Sequence, residues 1–88
     1  AFTINLKGHT VAQNGVQISL PKKEFELLFL LCSDPGRVFT RDVILTKVWG
    51  HDVIVGDRTI DVHIRKLRSK LGKEYFTTIK GVGYKFEA

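Results

Sequence analysis

Five basic side chains, Arg58, Arg65, Lys66, Arg68 and Lys70, lie between positions 58 and 70, against one acidic residue, Asp61. Guanidinium and ammonium groups at this density do one kind of chemistry well: they bind anions, phosphate oxygens above all, and the acceptor edge of guanine. Neither proline nor glycine interrupts the segment. With Ile60 at zero and about 100° per residue, Ile64, Leu67 and Leu71 fall within about 40° of it, a narrow core stripe on a helix. Arg58, Val62, Arg65 and Ser69 fall on the opposite face. Lys66 and Thr59 take one flank of that face, Asp61 the other, and His63 lies nearer the core edge.

The simpler reading of a basic amphipathic helix is a solvated surface face. Two features favour a helix lying in the major groove of duplex DNA. Long and small side chains alternate on the outer face, which suits groove depth. Val62 stands at its centre, where a thymine methyl can be met. Arg65 and Lys66 reach guanine or phosphate, and Arg58 and Arg68 are better placed for phosphate. A second basic element follows, in which Thr78 and Lys80 precede a tight turn and Lys85 follows it. Such a hairpin beside a groove-entering helix can reach the neighbouring minor groove or backbone.

The charge balance agrees. The chain has 88 residues and a net charge of +5, with eight basic against two acidic residues between 58 and 85. A localised positive field suits an anionic partner. One domain is expected over 1–88, since the length suits a single core. The longest apolar run, Leu27 to Cys32, is six residues, too short for a membrane span, and no membrane role is expected. The single cysteine, Cys32, cannot form an internal disulfide and suits a reducing, cytoplasmic setting. No catalytic, metal or cofactor site is expected. His9, His51 and His63 are scattered, and none has a second ligand at metal spacing. Cys32 reads as core filler. Asp57 and Asp61 read as cap and dipole partners of a helix start, and Gly81-x-Gly83 as a turn.

The elements that must position these residues follow from local signals. Residues 2–20 read as a small antiparallel sheet: alternation over 2–7, a second strand at 10–13, the hairpin signal Asn14-Gly15, then Val16, Ile18 and Leu20. Pro21 opens a helix over about 21–34, buried on two sides by Phe25, Leu27, Leu28, Phe29, Leu30 and Leu31. Asp34-Pro35-Gly36 stops it. Val38-Phe39 is a brief strand. Thr40 caps a second helix over about 41–49. Residues 50–56 form a loop, Asp57 caps the third helix over about 57–71, and residues 75–86 form a hairpin. The class is α+β.

In chain order, Glu24-Phe25-Glu26-Leu27-Leu28, Val38-Phe39-Thr40-Arg41, Val48-Trp49-Gly50, the run from Asp57 to Arg68, and Ile79-Lys80-Gly81-Val82-Gly83-Tyr84-Lys85-Phe86 resemble the C-terminal output domain of OmpR/PhoB-type response regulators. The resemblance covers essentially the whole chain. It implies a winged helix-turn-helix: an N-terminal antiparallel sheet, three helices with the third for recognition, and a C-terminal hairpin as the wing. It implies base contacts by Thr59, Asp61, Val62 and Lys66, and phosphate contacts by Arg41, Trp49, Arg58, His63, Arg65 and Arg68. Thr78 and Lys80 would serve the wing.

The loop His51, Asp52, Val53, Ile54 and Val55 matches a segment that contacts RNA polymerase in some members. The resemblance also implies a receiver domain, absent from this chain, and a sensor histidine kinase upstream. The chain is then a fragment of a longer regulator, monomeric alone and pairing in tandem on DNA. Two departures stand out. Leu20-Pro21-Lys22-Lys23 lacks the hydroxyl cap common at the first helix, and Lys66 stands where arginine is frequent, a point charge instead of a planar fork. The alternative function is a winged helix that docks a protein partner through loop 51–55. RNA binding is a weaker third, because Phe76, Tyr84 and Phe86 read as core.

Overall fold

The computed structural model describes residues 2–50 and 58–87. The hairpin signal near the N-terminus works as expected. Asn14 and Gly15 both take positive φ, 51° and 83°, the geometry whose twist matches flanking strands. They join β2 (Thr10–Gln13) to β3 (Val16–Ser19), and β1 (Phe2–Asn5) pairs on the other side of β2, all antiparallel. β1 stops at Asn5, short of the expected residue 7. The Asn5 side-chain oxygen accepts from the backbone N–H groups of Lys7 and Gly8 at 3.0 and 3.2 Å, so a local turn replaces the ladder. Leu6 is left 58% exposed, out of the alternating pattern.

Helix α1 is Lys22–Cys32, shorter at both ends than the expected 21–34. Pro21 sits at the cap with ψ of 153°, outside the helix, and no side chain caps it. Phe25, Leu27, Leu28 and Leu31 are buried, while Phe29 stays exposed. Glu24 is the only charged residue among the buried ones described. Its carboxylate accepts from Lys70 Nζ at 2.8 Å, which ties α1 to the far end of the third helix. Lys70→Ala leaves that carboxylate buried without its partner. The expected cost is about 1–2 kcal/mol, to be read from urea unfolding.

A two-residue strand, β4 (Phe39–Thr40), one residue later than the expected Val38-Phe39, leads into α2 (Arg41–Ile44). The Thr40 hydroxyl accepts from Val43 N–H at 3.3 Å, the expected cap. The helix continues through Leu45–Trp49, but this last turn is wound wider, as a π-helix. Helix α3 spans Arg58–Leu71. Ile60, Ile64, Leu67 and Leu71 are all buried, so the periodic stripe is the core face. A 3₁₀ turn, Lys73–Tyr75, precedes β5 (Phe76–Ile79) and β6 (Gly83–Phe86). The wing strands therefore begin at 76, with Tyr75 in the turn before them.

The second sheet has the order β4-β6-β5. The wing is not a lone hairpin, because Phe39 and Thr40 pair with Tyr84 and Gly83. Phe76, Tyr84 and Phe86 are buried, as expected of core aromatics. One core cluster runs from Val11 and Leu20 of the first sheet region through α1 and α3 to these residues. The Gln13 side-chain amide also donates to Leu71 O at 2.7 Å, pinning the first sheet to the end of α3. Asp57 and the loop 51–55 lie outside the described residues.

Candidate nucleic-acid interface

Packing of the stripe fixes what α3 shows to solvent. Arg58, Val62, Arg65, Lys66 and Ser69 are all exposed, and Val62 keeps 42% of its surface. The basic face read from the sequence is thus one continuous surface. Arg58, Asp61, Val62 and Arg65 line one shallow depression on it, and Arg65, Arg68, Ser69 and Lys73 line another. Lys73 entered the sequence reading only through net charge. Its place beside α3 depends on the tight 3₁₀ turn, for which the sequence carries no periodic signal.

Six of the expected contact residues, Arg41, Trp49, Asp61, His63, Arg68 and Thr78, already have protein partners. Asp61 accepts from the Arg41 guanidinium at 2.8 Å and from the Tyr84 hydroxyl. The Arg41 guanidinium also lies over the Tyr84 ring, 5.5 Å from its centre. Arg68 donates to Phe76 O at 2.9 Å and to the Thr78 hydroxyl at 2.8 Å. His63 Nδ1 lies 2.7 Å from Thr59 O, and its ring meets Trp49 edge-on at 5.1 Å. Trp49 is half-buried and packs against the core. Asp61, Arg68 and His63 therefore join elements of the domain to one another. Lys80 is exposed at the wing turn, with Val82 beside it. Tyr84 is the residue the sequence reading placed only in the core. Its ring is buried as expected, but its hydroxyl reaches the charged surface.

This geometry sets the electrostatics. The Tyr84 hydroxyl first, and then the Arg41 guanidinium, hold the Asp61 carboxyl below the usual aspartate range. Burial, with Asp61 adding to it, pushes the Tyr84 phenol up. A depressed carboxyl contributes stability above its unfolded pKa, near 4, and that contribution is lost as pH falls through the folded value. The gap in unfolding free energy between the native domain and Asp61→Asn should therefore narrow as pH drops below about 4. Denaturant titrations at pH 7 and pH 3 measure it.

Elsewhere the chemistry is quiet. Burial pushes the Cys32 thiol up to about 12, far from a nucleophile's range. His9 stacks on Phe25 at 4.8 Å. Among the described residues no His, Cys, Asp and Glu cluster could hold a metal ion. No described helix is long and apolar enough to cross a membrane.

The sequence profile of the family described as "Transcriptional regulatory protein, C terminal" matches residues 15–86. The chain belongs to that family. It is 46% identical to the uncharacterized transcriptional regulatory protein YclJ of Bacillus subtilis, over 98% of this chain and 40% of that protein. Among solved structures, it superposes with TM-score 0.88 on response regulator DrrB, a Thermotoga maritima OmpR/PhoB homolog. The identity there is 37%, over 99% of this chain and 42% of that one. The DNA-binding domain of response regulator AdeR, solved in complex with an intercistronic region, superposes with TM-score 0.85 at 27% identity. That match covers 98% of this chain and 93% of that one. The fold is the winged-helix DNA-binding domain of OmpR/PhoB-type response regulators, and the family is one of transcription regulators, not enzymes. The chain spans about two fifths of the length of curated relatives such as YclJ.

Proposed function

We propose that this domain reads duplex DNA sequence by laying α3 in the major groove. The observation that carries the reading is the exposed face of Arg58, Val62, Arg65, Lys66 and Ser69, basic throughout apart from one central valine and one serine. Val62 and Lys66 meet base edges, with Thr59 on the flank. Arg58 and Arg65 hold phosphates, and Lys73 extends that track. Lys80 at the wing turn reaches the adjacent backbone or minor groove. Asp61 is taken by Arg41 and Tyr84, and Arg68 and Thr78 by each other, so these five act by holding the reading surface in shape.

In the full-length protein a receiver domain, phosphorylated through a sensor histidine kinase, pairs two copies on adjacent half-sites about one helical turn apart. The setting is the cytoplasm, and loop 51–55 is the candidate contact for RNA polymerase. The isolated domain is then a monomer with weak affinity for one half-site.

The test is selection of random duplexes by the purified domain, followed by titration of the winner and a scrambled control across a salt series. A short enriched motif is expected. With about five phosphates neutralised, log K should fall against log salt with a slope of about −4 to −5. Absence of binding even at low salt would sink the reading.

A further inference from the structure

The wing is fastened to α3 at two places. Near the start of the helix, Asp61 accepts from the Tyr84 hydroxyl of β6 and from Arg41 of α2. Seven residues on, Arg68 donates to Phe76 O and to the Thr78 hydroxyl of β5. At 1.5 Å per residue the two attachments are about 10 Å apart along the helix. One attachment would leave the hairpin free to swivel about it. Two, one on each wing strand, fix its angle to the helix.

Both attachments lie on one flank of α3, at the half-buried Asp61 and Arg68, beside the exposed face proposed for DNA. The Arg41 end is held further by its backbone N–H, which donates to Val82 O at 3.2 Å. β4 also pairs directly with β6, so α2 and the wing move together.

Building on the proposed DNA reading, we infer that Asp61, Tyr84, Arg68 and Thr78 are positioning residues that lock recognition helix and wing into one rigid reading unit. Asp61 then reads no base, and Arg68 holds no phosphate as its main task. The locked angle sets the spacing between the base pairs met by α3 and those met by the wing. Specificity on the wing side depends on that spacing, because a swivelling hairpin averages over neighbouring steps.

Two substitutions test this without changing any charge. Tyr84→Phe keeps the buried ring and deletes its hydroxyl. Thr78→Val keeps the shape and deletes the side-chain acceptor for Arg68, leaving it Phe76 O alone. The first readout needs no DNA. Amide exchange of residues 76–79 and 83–86 should speed up about tenfold in the double variant, while α1 is unchanged. Equal protection in both proteins would overturn the lock.

The second readout is the base preference, position by position, from duplex selection. The double variant should lose about fivefold or more of its discrimination at the wing-side base pairs. It should keep its preference under α3 and its salt slope. Asp61→Asn should resemble Tyr84→Phe, with the change on the wing side. A change confined to a single base pair under α3 for Asp61→Asn, with Tyr84→Phe silent, would make Asp61 a base reader and overturn the inference. Failure of the native domain to select any motif would overturn the DNA reading, and the lock would then stand or fall on exchange alone.

Discussion

Gly83→Ala is expected to lower the unfolding free energy by about 3 kcal/mol and to release the wing from the rest of the domain. A Cβ at position 83 would lie 1.9 Å from Phe39 O and 2.9 Å from Thr40 Cα. Both are backbone atoms of β4, held in register with β6 by Phe39–Tyr84 and Thr40–Gly83 pairing. They cannot swing aside as a side chain tip would, so the strands must part. Parting them moves Thr40 from its cap on α2 and pulls Tyr84 away from Asp61.

Gly81→Ala is the control. Gly81 has φ of 75° with nothing within 4 Å of an added Cβ, so only backbone strain of about 1–2 kcal/mol is expected there. Urea unfolding of the two variants decides the matter. If Gly83→Ala costs no more than Gly81→Ala, the close approach of β4 and β6 does not exist in solution.

The same pair of glycines shows what a sequence can and cannot say about this fold. Gly81 is legible because a tight turn is a local event, as it is at Asn14-Gly15. The α3 stripe and the Thr40 cap were legible for the same reason: spacing of 3–4 residues is enough to specify them. Gly83 needed to be glycine because a strand more than forty residues away lies against it, and no local pattern encodes that.

The Glu24–Lys70 pair and the Arg41–Asp61–Tyr84 cluster failed to show for the same reason. Each joins segments whose approach is decided by how the core packs. Asp61 illustrates the effect on the candidate site. Its place near the start of the helix reads as a dipole partner, and only the resemblance implied a base contact. The side chains that occupy it come from α2 and β6. The exposed face itself was legible, since burying Ile60, Ile64, Leu67 and Leu71 leaves α3 no choice about what it presents.

That face supports the second large prediction, a division of labour between two neighbouring residues. Lys66→Ala should flatten sequence preference, costing about 1–3 kcal/mol on the selected motif and little on scrambled duplex. Arg65→Ala should weaken both duplexes alike and reduce the magnitude of the salt slope by about one. The reason is position. Lys66 flanks the outer face of α3 on the side of Thr59, with Val62 one helical turn before it. Arg65 lies on the other side of that valine, lining the depressions it shares with Asp61 and with Lys73. Phosphate contacts carry no base information, and base contacts carry little of the counterion release. The two variants must therefore separate in a titration of matched and scrambled DNA at several salt concentrations. Equal losses on both duplexes for both variants would mean that Lys66 is one more phosphate clamp. The sequence preference would then have to come from Val62 and Thr59, where Val62→Ala is the next substitution to titrate.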